Sequence, residues 1–286
     1  HGPVNGRRLV LGAAVLWGTT GSAQALGPVA ATPLTTGALR LVVGATGLVT
    51  VAAVTGSLRR LRDVPLGMLA VTAVGIAAYQ PAFFAGVERA GVAVGTVVAI
   101  GSAPILAGLL ARFVGHERLE PRWYTATALA IVGTAAVVGA PEGVDPVGIL
   151  AALGAGAAYA IYAFGAKRMI ERVGAVAAMA AGFGLGAIVL LPALWNTDLS
   201  WVGTVPGLAM VGWLGIATVT ASYLLFGAGL ATTPLSTTAT LSLAEPATAT
   251  LLGFLLLGER PGGVSWLGVG LILLGLAILA TTTPDS

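Results

Sequence analysis

PLSTTATLSLAEPATATLLGFLLLGERP (Pro234–Pro261) is an almost unbroken apolar run with one carboxylate, Glu245, near its middle and a proline, Pro246, directly after it. Moving back 142 residues gives VAVGTVVAIGSAPILAGLLARFVGHERL (Val92–Leu119), where Pro104 answers Pro246 and Glu117-Arg118 answers Glu259-Arg260. A buried acid, a proline that interrupts a helix and an earlier twin together form the pattern expected of a membrane transporter core.

Composition points the same way. The 286 residues are 57% hydrophobic and only 9% charged, with 42 Gly and a mean hydropathy of +0.95. Soluble domains carry about 25% charged residues, so this chain lacks the polar side chains to cover a water-facing surface. Helices crossing a bilayer need about 20 apolar residues and associate through small residues that let backbones approach. An all-α polytopic membrane protein is therefore expected. With no cysteine, thiolate chemistry and disulfides are excluded. The opening HGPVNG, without a leading Met, reads as a scar of tag cleavage and is set aside; no cleavable signal peptide is expected.

Ten spans are expected, at 9–26, 34–55, 65–86, 91–112, 122–139, 146–165, 175–195, 205–229, 234–257 and 262–281. Lys and Arg orient them. One set of loops holds Arg7, Arg8, Arg59, Arg60, Arg62, Arg112, Arg118, Arg122, Lys167, Arg168 and Arg172, whereas the opposite set holds only Arg89 and Arg260. This asymmetry predicts both termini on the cytoplasmic side. At the offset of 142, Met68 meets Met210, Phe84 meets Phe226 and Gly133 meets Gly275, with no gap required. Five spans per half is an odd number, so the halves, 7–140 and 141–282, are expected to insert with opposite polarity around a central cavity.

Glu245 lies about eleven residues into its span, roughly 16 Å deep at 1.5 Å per residue. An ionisable group there is costly and usually functional. It either contacts a substrate ammonium group, accepts a coupling proton, or is a neutral acid that holds a helix contact beside Pro246. Pro81, Pro104 and Pro246 each free a backbone carbonyl inside a span, and hinge, cavity lining and simple kink compete at all three. Arg40 could neutralise a substrate carboxylate, pair with Glu245 or extend to the headgroups. Tyr79, Gln80 and Phe83 in span three answer Ser222, Tyr223 and Phe226 in span eight, and Trp17 coincides with Tyr159 at the repeat offset. As a symmetric set they suggest a pathway narrowed at two mouths; singly, each aromatic is equally a packing residue.

Several chemistries are absent. The sequence has no G-x-x-x-x-G-K-[ST] loop, no H-E-x-x-H and no G-x-S-x-G. The glycines at Gly182–Gly186 lie within a span and follow no strand, so a nucleotide site is not expected. An intramembrane hydrolase needs a nucleophile beside a base, and no His, Asp or Lys lies deep enough to serve. No cofactor, metal or nucleic-acid partner is expected.

The duplicated five-span unit, LWG at Leu16–Gly18, and the span-four and span-nine runs ending in GHERL and GERP resemble the drug/metabolite transporter superfamily, in its EamA-type branch and, within that, the YddG-type amino-acid exporters. The resemblance implies a cavity made mainly by spans one, three, four, six, eight and nine, with the fifth and tenth at the periphery. Carried onto this chain, the cavity residues would be Trp17, Tyr79, Gln80, Phe83, Tyr159, Tyr162, Ser222, Tyr223, Phe226 and Glu245. It further implies a bacterial inner-membrane secondary transporter that exports amino acids, aromatic ones included, by alternating access, in contact with lipid and a small-molecule substrate. The alternatives are export of cationic drugs or viologens through cation–π contacts, an intramembrane enzyme, and a structural or receptor-like bundle. Phosphorylated cargo is disfavoured, since Arg40 is the one basic residue within a span.

Overall fold

A computed structural model describes residues 5–139, 145–195 and 197–280. The boundary expected between the halves at 140/141 and the far edge of the tenth expected span lie outside the described residues. The helices are α1 (Gly6–Gly18), α2 (Thr20–Ala25), α3 (Pro33–Val54), α4 (Leu66–Phe113), α5 (Pro121–Val138), α6 (Pro146–Val173), α7 (Ala175–Leu190), α8 (Val205–Gly215), α9 (Ser222–Thr232), α10 (Leu235–Leu241), α11 (Ala244–Leu256) and α12 (Gly263–Ala280). A π-helical turn, Ile216–Ala221, joins α8 to α9. Several starts pair a capping oxygen with proline. Thr32 accepts from the Thr35 amide ahead of α3, Asp145 from Val147 ahead of α6, and Thr204 from Gly207 ahead of α8. Each cap satisfies an amide that the first helical turn leaves open.

Among the described residues, eight helices are long and apolar enough to cross a membrane, against the ten expected. The two that fall short have identifiable causes. The first is broken at Thr19, whose amide and hydroxyl both turn back to the Leu16 carbonyl, leaving α1 at 13 residues. The other, α5, has 18 residues but opens Pro-Arg-Trp-Tyr-Thr. Two edges also move. Helix α6 continues past the expected end at 165 to Val173, stopping at Gly174 with φ 82°. Helix α4 contains both the third and fourth expected spans as arms, Leu66–Gly91 and Val94–Phe113. Between them Gly91 adopts φ 83°, ψ 157°, a conformation open to glycine, and the arms reverse so tightly that a Cβ on Gly95 would lie 2.7 Å from Val87.

Small residues hold the bundle together. Helix α6 packs on both arms of α4 at Gly75, Gly86, Gly148 and Gly156, and α5 packs on α12 at Gly133, Gly268 and Gly275. The start of α1 abuts the end of α9 (Gly6 against Gly229). The bundle thus has a near end, where α1, α5 and α10 begin and α4 and α9 finish, and a far end, where α5 finishes beside the start of α12. The main core runs along the bundle and includes, at the near end, Val10, Ala14, Leu230, Leu235 and Leu241, all at most 1% exposed.

Candidate functional site

A cavity of about 400 Å³ runs from the middle of the bundle to the far end. Its wall takes residues from the middle and the far-end part of the helices it meets. Thr20 and Gln24 follow α1; Arg40 and Leu41 lie in the third turn of α3; Tyr79, Gln80 and Phe83 lie in the second half of the first arm of α4, and Thr96 and Ile100 begin the second. Glu245, Pro246, Ala249 and Thr250 come from α11. Gly18 makes room for α11, because a Cβ there would stand 2.9 Å from the Glu245 carbonyl and 2.5 Å from Thr248. The LWG stretch therefore places Trp17 and Glu245 on one wall.

Two opposite charges face this space. Arg40 and Glu245 both line it, and both are half-buried. No ion pair joins them, and no side-chain hydrogen bond to either occurs among the described residues. A carboxylate and a guanidinium at membrane depth are costly without partners, so water or a ligand must supply what the protein does not.

The floor is aromatic. Trp17 lies 5.1 Å from Tyr223 and 5.3 Å from Phe226, and Phe183 lies 4.0 Å from Tyr223 between ring centroids. The Trp17 indole N–H donates to Ser222 Oγ at 2.9 Å, and that hydroxyl donates on to the Thr218 carbonyl at 2.7 Å. Tyr159 and Ser242 share a hydrogen bond of 2.9 Å, tying α6 to the break between α10 and α11. Below this floor lie Ser236, Thr237, Thr238 and Thr240, buried, with the Thr238 hydroxyl unpartnered. The near end is closed.

Of the residues expected at the site, Trp17, Tyr79, Gln80, Phe83, Tyr159, Tyr162, Tyr223 and Glu245 share the cavity wall. Ser222 and Phe226 do not; both are fully buried behind the floor. The reason is the π turn, whose extra residue rotates the face that follows it. The wall pairs Ile76/Val219 and Gln80/Tyr223 are separated by 143 residues, one more than the sequence offset. Pro246 lines the cavity just after the helix break at Ser242–Leu243. The helix runs through Pro81 and Pro104, since Gly91 is the non-helical position in α4; Pro81 is exposed and Pro104 buried. Phe183 and Thr96 are wall residues that sequence reasoning missed. Phe183 is the repeat mate, at 142, of Leu41, which the structure also places on the wall. Spans two, five and seven also contribute, through Arg40, Val137 and Phe183, beyond the set implied by the resemblance.

Two stretches, residues 5–139 and 146–281, each match the model of the EamA-like transporter family. The chain belongs to the EamA-like transporter family. It is 42% identical over 273 residues to the uncharacterized transporter YwfM of Bacillus subtilis (strain 168), covering 95% of this chain and 92% of YwfM. A 67-residue stretch is 37% identical to the permease-like protein YdzE of the same organism, covering 23% of this chain and 86% of YdzE. A protein crystal structure superposes on this EamA protein with a TM-score of 0.83 at 25% identity, over 96% of both chains. Membership makes the chain a multi-pass membrane transporter, not an enzyme, with two EamA repeats and a small-molecule substrate.

Proposed function

We propose that this EamA protein exports amino acids across a bacterial cell membrane by alternating access, in the manner of the YddG-type branch. The proposed arrangement has ten spans, with α1–α2 and α5 completing the set, and two halves of opposite polarity. Both termini are cytoplasmic, so the far end, where the cavity opens, faces outward. The observation that carries the reading is the pair of unpartnered charges, Arg40 and Glu245, both lining one cavity above an aromatic floor. A zwitterion satisfies both at once: its carboxylate meets Arg40 and its ammonium meets Glu245. Its side chain lies against Trp17, Tyr79, Phe83, Tyr159, Tyr162 and Tyr223, where faces of this kind accept apolar and aromatic groups. A cationic drug fits less well, because Arg40 repels it while Glu245 attracts it.

The experiment is counterflow in proteoliposomes with labelled amino acids. Free amino acids should exchange, with aromatic ones competing well. Arg40→Gln should weaken competition by the free amino acid roughly tenfold or more, the effect of losing one charge-assisted bond, while leaving competition by its amide unchanged. Equal loss for both ligands, or exchange of viologens with no exchange of amino acids, would overturn the reading.

A further inference from the structure

We infer that Glu117 and Glu259 are alternating clasps, each closing one end of the molecule in turn. Glu117 lies in the loop between α4 and α5, half-buried at the near end. Its carboxylate accepts from the Leu235 amide at 3.0 Å, from the Ser236 amide at 3.4 Å and from the Ser236 hydroxyl. These residues open α10 directly after the non-helical link at Thr233–Pro234. Lys167 grips the other side of the same link, donating to the carbonyls of Leu230 at 3.0 Å and Thr233 at 2.6 Å. An anion on the amides and a cation on the carbonyls thus pin the α9–α10 link shut beneath the buried hydroxyls.

The same loop recurs 142 residues later with its carboxylate unengaged. His116 and Gly258 both adopt the left-handed conformation, at φ 57° and 69°. The Glu117 amide donates to Ala111 at 2.9 Å, and the Glu259 amide donates to Gly253 at 3.1 Å. The Glu259 side chain is exposed and makes no hydrogen bond or ion pair among the described residues. It is parked over Gly253, so close that a Cβ at Gly253 would lie 2.2 Å from its Oε2. At the matching place in the first repeat stands Ala111, whose methyl group denies Glu117 that resting position. The repeat mate of Thr233 is Gly91, the non-helical link between the arms of α4. In the opposite state, Glu259 takes the amides after Gly91, those of Ala93 and Val94, and Glu117 lets go. The mate of Lys167 is Ala25, so the far-end clasp lacks a cation, and the state closed at the near end is favoured.

The inference uses the transport reading only for the existence of two states, and its test needs no substrate, so a wrong substrate class leaves it untouched. The chain has no cysteine, so single reporters are clean. Thr96→Cys lies on the open wall, and Thr238→Cys at its fully buried mate. Each is labelled with a hydrophilic maleimide in nanodiscs, where both faces are accessible. In the otherwise unchanged protein, Thr96→Cys should react faster. Adding Glu117→Ala should shift the ratio of rates toward Thr238→Cys by roughly tenfold, the effect of about one charge-assisted hydrogen bond. Adding Glu259→Ala should slow Thr238→Cys further, and Gly253→Ala, which evicts the parked carboxylate, should speed it. If Glu117→Ala does not fold, Glu117→Gln replaces it. An unchanged ratio in a folded Glu117 variant, with or without a lower Tm, would overturn the inference, as would shifts in the same direction from Glu117→Ala and Glu259→Ala.

Discussion

Ser222 shows how a residue matters without touching the cavity. Its hydroxyl accepts from the Trp17 indole and passes its own proton to Thr218, all in a buried setting. Ser222→Ala leaves a buried N–H without a partner, which costs about 1–3 kcal/mol, and a thermal melt should register the loss while the order of preference among amino acids stays the same. Glu245 is the opposite case, a group on the wall with no protein partner. A carboxyl at that depth is suited to carrying a proton, so export driven through it should vary with pH. Glu245→Gln, which cannot ionise, should flatten the pH profile of uptake into proteoliposomes; a variant profile parallel to the parent's would rule out that role.

At the level of elements, α5 and α12 meet through glycines, and a Cβ on Gly133 would lie 2.6 Å from the Gly268 carbonyl. Gly133→Ala must push two backbones apart, and in a bilayer close approach is what holds helices together. The expected outcome is a lower Tm with unchanged substrate affinity, because Gly133 is not on the cavity wall. Much of this level was legible in the sequence. The offset that pairs Pro104 with Pro246 also pairs Gly91 with Thr233, and both are non-helical links in the structure. What stayed hidden has physical causes. The π turn at Ile216–Ala221 leaves no mark in an apolar stretch, because it shifts register without changing composition, so Ser222 and Phe226 were expected on the wrong side of the wall. The Thr19 break was likewise invisible, since its signal is a single hydroxyl turning back to Leu16. Phe183 was one aromatic in an otherwise featureless helix, and only the fold brings it to 4.0 Å from Tyr223.

For the whole molecule, the decisive quantity is polarity. The charge asymmetry and the odd number of expected spans per half both predict inversion, and with inverted halves a cavity open at one end goes with a closed opposite end. Repeat mates then have opposite fates in the same state, as Thr96 on the wall and Thr238 in the core illustrate. Arg118 and Arg260 are also mates, and both are exposed, so they report polarity without disturbing the interior. With inverted halves, a membrane-impermeant maleimide added to intact cells should label Arg260→Cys and spare Arg118→Cys, and inside-out vesicles should reverse the result. Labelling of both from the same side would mean parallel halves. The matched loops at Glu117 and Glu259 would then lie on one face, and neither alternating access about a central site nor an exchange of clasps between ends could follow from this architecture.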